Sequence, residues 1–151
     1  MALLLGTSFA HLLEWTAKLQ YEGELYVRLQ TSLYAQWGPP NVGGFLEPAA
    51  ILAVFIMAVL VRRHVSALRL TLVAAACLLL AFPVVFFWRI APANAAFLHA
   101  ATTGILPPDW SVWRTQWETG HALRFVLHAM AFILIAVTLT GQGRDAQRTP
   151  L

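Results

Sequence analysis

Leu70–Trp88 reads LTLVAAACLLLAFPVVFFW, without one charged side chain, and it stands between Arg69 and Arg89. A helix needs about 20 mostly apolar residues to cross a bilayer, because lipid offers its backbone N–H and C=O groups no partners. This run meets that requirement. Pro83 inside it is expected to kink the helix without ending it. The rest of the chain has the same character: of 151 residues, 59% are hydrophobic and only 11% charged, with mean hydropathy +0.66. A soluble domain carries about a quarter charged residues, so a soluble globule is excluded, as are a disordered chain and a disulfide scaffold. The pI near 9.6 reflects scarce acids, seven Asp/Glu against ten Lys/Arg, and not a basic patch, so no nucleic-acid partner is expected. The single cysteine, Cys77, lies within the run and forms no intrachain disulfide.

Working outward, a second span covers 45–61, closed by Arg62, Arg63 and His64, with Glu47 and Pro48 in its first turn. A third apolar stretch covers 119–140 and begins earlier as a helix, since Pro107-Pro108-Asp109 is a stop and N-cap ahead of Trp110. Residues 2–22 form the remaining span, read against a signal peptide because the basic n-region and small-residue cleavage site are missing. The expected fold is all-α: a four-transmembrane-helix bundle (spans about 2–22, 45–61, 70–88 and 119–140) with a short tail at 142–151. Arg62, Arg63 and Arg69 in one short connection, and Arg144 and Arg148 in the tail, place both termini in the cytoplasm by the positive-inside rule. A multi-pass position in a bacterial inner membrane follows as the expectation. The outer connections, 23–44 and 90–118, then hold Tyr34, Trp37, Trp110, Trp113 and Trp117 beside Trp88, an aromatic belt.

Ionisable groups at membrane depth each cost a few kcal/mol unless paired or hydrated, so they carry the information. His11, Glu14 and Lys18 share one face of the first helix at i, i+3, i+7; Arg114, Glu118, His121 and His128 form a stripe on the last, with Arg124 alongside. Glu47 adds a carboxylate from the second helix. Alternating helix directions put these groups at matching depth, which implies a shared internal site.

Three chemistries compete for it. Glu118-x-x-His121, His11-x-x-Glu14 and Glu47 supply mixed N/O donors of the kind that hold a di-iron or manganese site; haem between His11 and His128 is a weaker variant. A plain ion-pair network is the second: Glu14 with Lys18, and Arg124 neutralising Glu47 or Glu118. The third is metal-free proton chemistry, with a buried histidine as general base and the aromatic rim (Tyr34, Trp88, Trp117) admitting a flat hydrophobic substrate from the lipid. His64 reads as a solvated loop residue, and His99 is uninformative.

These residues also resemble a family. Phe9-Ala-His11-Leu-Leu-Glu14, Lys18-Leu19, Leu33-Tyr34, Gly43-Gly44 and Glu47-Pro48, then Pro92-Ala-Asn94, Pro108-Asp109-Trp110, Arg114, Trp117-Glu118, His121 and Arg124, look like the anthrone-oxygenase-like family of small four-helix membrane proteins. The likeness runs over residues 6–140. It implies a site lined by His11, Glu14, Glu47, Asn94, Glu118, His121 and Arg124. Members linked to aromatic polyketide pathways oxidise anthrones to anthraquinones with dioxygen, and many bacterial members have no assigned activity. The expected mechanism has His121 or His11 removing a phenolic or benzylic proton and Arg124 or Lys18 stabilising the anion. A non-catalytic accessory subunit or scaffold is the alternative. Small residues at Ala74-Ala75-Ala76 and Gly43-Gly44 would permit close helix approach and self-association into a homo-oligomer.

Overall fold

Helix α1 (Ala2–Lys18) turns its Leu4, Ser8, His11 and Lys18 side chains inward, a spacing of three, four and seven that keeps them on one face. α2 (Gly23–Ser32) follows after a tight turn and buries Tyr26, Val27 and Gln30. A 3-10 turn at Tyr34–Trp37 leads into α3 (Val42–Leu60). That turn passes so close to α3 that a Cβ at Gly43 would collide with the Trp37 carbonyl. The computed structural model describes the backbone of residues 1–38 and 40–148 and the side chains through Gly141, Pro39 apart; no strand occurs among the described residues. Residues 149–151 of the expected tail lie outside them.

α3 begins three residues before the expected 45, which moves Glu47 and Pro48 out of its first turn. Glu47 is buried, and its partners are side chains of α6 (Trp110–Arg148). The charge-free run lies within a longer helical stretch, Val65–Thr103. It is α-helical over α4 (Val65–Leu79), π-helical over Leu80–Ile90, and α-helical again over α5 (Ala91–Thr103). Pro83 lacks an N–H to give its i−4 carbonyl, and the ladder widens to bonds five residues apart around it instead of stopping. Much of the expected outer connection 90–118 is therefore helix.

α6 is the central element, packing against α1, α4, the π-helical segment and α5, while α3 leans on α4 and α2 on α5. It starts at Trp110, directly after Pro107-Pro108-Asp109, and continues through residue 148, so the first residues of the tail are its last turns. Three helices, Val42–Leu60, Val65–Thr103 and Trp110–Gly141, are long and apolar enough to cross a membrane. α1, at 17 residues with three ionisable groups, is not among them. Their outward faces carry large apolar side chains, Leu52, Ile56, Val73, Phe87 and Ile133 among them. Such an apolar exterior suits lipid and not water.

Two apolar clusters fill the interior. One joins Leu4, Val54, Ala74, Leu78 and Ala131 across α1, α3, α4 and α6. The other joins Tyr26, Ile90, Phe97 and Trp117. Ser8 lies two turns or less from Leu4, Glu47 from Ala50 and His128 from Ala131, whereas Glu118 adjoins Trp117. The ionisable groups thus form a polar layer between the two clusters.

Candidate functional site

The inward faces of α1, α3 and α6 meet in this layer, and the sequence explains why. On α6, Glu118, His121, Arg124 and His128 recur every three or four residues and form one stripe with Trp117 beside Glu118, and all five are buried. On α1, Lys18 is 1% exposed. Its ammonium lies 3.4 Å from Glu14 Oε2 on its own helix and 3.4 Å from Glu118 Oε1 across the bundle. It also stands 4.7 Å and 4.6 Å from the ring centres of Tyr34 and Trp117. Two carboxylates and two ring faces together replace the water a buried ammonium gives up.

The aromatic hydroxyls complete this half. Tyr26 donates to Glu118 Oε1 at 2.9 Å, and Tyr34 donates a short hydrogen bond to Glu14. Burial, and then the Glu118 charge and hydrogen bond, hold the Tyr26 phenol protonated well above its ordinary range. For Tyr34 burial is again the main cause, followed by the hydrogen bond to Glu14. Trp117 Nε1 donates to Asn94 Oδ1 at 2.9 Å, which ties α5 to α6. Arg114 sits at the end of α1, donating to the Leu19 and Tyr21 carbonyls at 3.0 and 3.3 Å, where a helix C-terminus leaves acceptors unmet.

A second group lies deeper. Arg124 Nη2 is 2.5 Å from Glu47 Oε1, and His128 Nε2 approaches the same oxygen at 3.1 Å. Both meet it off the line of a hydrogen bond, as ionic contacts. Ser8 Oγ lies 2.6 Å from His128 Nδ1 and 3.1 Å from the Leu4 carbonyl. Ser8 gives its one hydroxyl proton to the Leu4 carbonyl, and its Oγ meets His128 Nδ1 in a second contact whose direction follows the imidazole tautomer.

Between the groups, the His11 and His121 rings lie 4.0 Å apart, with His121 also 4.0 Å from the Trp117 ring. Tyr34 and Trp37 stand 5.2 and 5.0 Å from His11. Neither imidazole has a carboxylate within ion-pair distance among the described residues. Both line a cavity of about 1090 Å³, together with Tyr34, Trp37, Phe86 and Arg124. Glu47, Asn94 and Trp117 also reach it. Its size is at the upper end for a small-molecule pocket.

The expected site residues therefore divide. His11, Tyr34, Glu47, Asn94, Trp117, His121 and Arg124 border the cavity; Glu14, Lys18 and Glu118 stand behind its wall. Trp88 does not take part: its indole is 67% exposed. In the π-helical segment, side chains four or five apart share a face, so Phe82 and Phe86 turn to the cavity, Phe87 stands at its exposed rim and Trp88 is carried off it. Among the described residues Arg89 pairs with no acid; it donates to Thr119 Oγ1 at 3.0 Å.

As donors for a di-metal centre, the five expected ligands do not fit. Glu14 and Glu118 are occupied by Lys18, Glu47 by Arg124 and His128, and no three His, Cys, Asp or Glu among the described residues gather to hold a metal ion. A haem between His11 and His128 fits no better, because His128 is committed on both nitrogens to Ser8 and Glu47.

Tyr26 and Ser8 belong to the site but not to the sequence-based expectation for it, and Trp37, expected only as part of the aromatic belt, reaches the cavity. Ser8 stands three residues before His11 on the same face, a usable signal. Tyr26 gives none, since its role depends on α2 folding back over α6. Compared with known proteins, the chain matches no family model, no curated protein and no solved structure.

Proposed function

We propose that the chain is a four-span membrane protein, with α1 as the fourth span and both termini cytoplasmic, that oxidises a flat hydrophobic aromatic compound of the anthrone type with dioxygen. One observation carries the reading. An aromatic-walled cavity converges on two adjoining, tilted imidazoles, which have no carboxylate within ion-pair distance among the described residues, and on a guanidinium, Arg124. The positive-inside bias of Arg62, Arg63 and Arg69 supports the orientation, and a multi-pass place in a bacterial inner membrane goes with it.

The chemistry balances without a further oxidant. His121, backed by His11, takes one benzylic proton from the anthrone methylene, and the charge moves to the ketone oxygen, where Arg124 stabilises it. Dioxygen accepts electrons from the carbanion and forms a C–O bond; the proton returns from His121 to give a hydroperoxide. Loss of the second methylene proton then breaks the O–O bond, releasing water and leaving the quinone carbonyl. Tyr34 and Trp37 would stack on the ring system and exclude water.

The test is turnover of anthrone to anthraquinone by the purified protein in detergent, followed by absorbance. His121→Ala should slow it by about 10²-fold or more, the usual worth of a general base. An unchanged rate would overturn the proton-transfer role.

A second reading rests on a different observation: the buried carboxylates Glu47 and Glu118 and the partly exposed Glu14 are all ion-paired to bases on neighbouring turns or helices. Under it the polar layer is a structural network in a non-catalytic accessory subunit or self-associating scaffold. A protein that leaves anthrone unchanged and co-purifies with a membrane enzyme would favour this reading.

A further inference from the structure

Arg89 stands over the Trp88 ring, 5.4 Å from its centre, and has no anion beside it among the described residues. Its neighbours in sequence, Val84, Phe87 and Trp88, are 49%, 60% and 67% exposed on the apolar exterior. No carboxylate lies within ion-pair distance of it among the described residues. Thr119 Oγ1 accepts from Nη2 at 3.0 Å, and Gln116 Nε2 holds the Arg89 carbonyl at 2.9 Å, so backbone and guanidinium are both fixed. Nε is buried and has no hydrogen-bond partner. The side chain borders a cleft of about 340 Å³ whose other walls are Ser111, Val112, Thr115 and Gln116.

Its depth is set by the sequence. Arg69 and Arg89 bracket the charge-free run 70–88, whose length matches the hydrocarbon thickness of a bilayer, about 30 Å. On the membrane reading, each guanidinium then stands at the level of the lipid phosphates. Arg69 is exposed there, but Arg89 is half-buried and pre-oriented. A partly dehydrated guanidinium held in this way needs a counter-charge, and its planar fork matches two oxygens of a phosphate.

We infer that the cleft between the π-helical segment and the first turns of α6 binds the phosphate of a phospholipid headgroup. Arg89 is the charged donor, Ser111 is a hydroxyl on the cleft wall, and the lipid's chains lie along the apolar face carrying Phe87 and Val112. This rests on the membrane reading but not on the oxidation chemistry.

Native mass spectrometry in dodecyl maltoside micelles doped with phosphatidylglycerol tests it. The wild type should retain one lipid, Arg89→Gln should weaken retention about tenfold or more, and Arg89→Lys, which keeps charge without the fork, should fall between. Arg63→Gln, at an exposed arginine of the α3–α4 turn, should match the wild type. Equal retention by wild type and Arg89→Gln overturns the inference and leaves the membrane reading intact. Inorganic phosphate that binds lipid-free micelles of the protein as tightly as the lipid does would identify a free-anion site and overturn the lipid assignment. A protein monodisperse without detergent would instead remove the membrane reading itself.

Discussion

Removing the Lys18 charge should leave Glu118 stranded. The Lys18 side chain is 2% exposed, and its ammonium lies 3.4 Å from Glu118 Oε1, whose side chain is 1% exposed. At an effective dielectric of about 20, contact at that separation is worth roughly 5 kcal/mol before desolvation. Dehydrating both ions offsets most of it, so the pair contributes little net. The Glu14 contact, at the same distance but on a side chain 37% exposed, is screened by solvent and adds little. Breaking the buried pair is different: an uncompensated buried carboxylate costs about 3–5 kcal/mol. The hydrogen bond from Tyr26 persists and favours the lower end. Lys18→Met should therefore destabilise by about 3 kcal/mol, measured by reversible unfolding in micelles with tryptophan fluorescence. Lys18→Met combined with Glu118→Gln should regain much of it, with a coupling energy of about 2 kcal/mol or more. A cost under about 1 kcal/mol, the worth of an exposed pair, or strict additivity of the two changes, would refute the reasoning.

Further outcomes follow from the same contacts. Stability should fall as pH rises above about 10: the unfolded chain then releases phenolic protons that the folded state keeps on Tyr26 and Tyr34. The double variant Tyr26→Phe/Tyr34→Phe should flatten that alkaline limb of the unfolding curve. Ser8→Ala should cost about 1–3 kcal/mol by leaving His128 Nδ1, in a residue with 0% exposure, without its partner. Ser8→Thr should cost less if its methyl group is accommodated. At Gly43, alanine should displace the Trp37 carbonyl and cost about 1–3 kcal/mol. The shift should appear as a change in tryptophan emission, because Trp37 sits over His11.

The long apolar helices were the most legible part of the sequence, since insertion depends on summed hydropathy and not on any one residue. Their limits were less legible. Asn41 starts α3 three residues early, and the ladder around Pro83 continues instead of releasing the chain at Trp88. Helical spacing sufficed to put His11 with Lys18 and Glu118 with His121 and Arg124 on common faces. Partner choice was another matter: Arg124 had Glu47 and Glu118 in prospect, and three-dimensional depth assigned it Glu47 while Lys18 took Glu118. Uncharged partners such as Ser8 and Tyr26 left almost no trace, because a hydroxyl or ring costs little in a sequence count until packing encloses it. Trp88 lies off the cavity lining for a different reason. Its neighbours mark the rim, but the π-helical register turns it outward.

The most direct measurement concerns the meeting of α1 and α6 in the interior. With Cys77 replaced by alanine, the pair Ser8→Cys/His128→Cys would place two thiols where Oγ and the imidazole now stand 2.6 Å apart. Mild oxidation in micelles should join them, read as a crosslinked peptide by mass spectrometry. The pair Leu13→Cys/His128→Cys, with Leu13 67% exposed on the outer face of α1, should stay reduced. Crosslinking through position 13 and not through position 8 would mean that α1 turns its polar face outward, and the shared site would not exist.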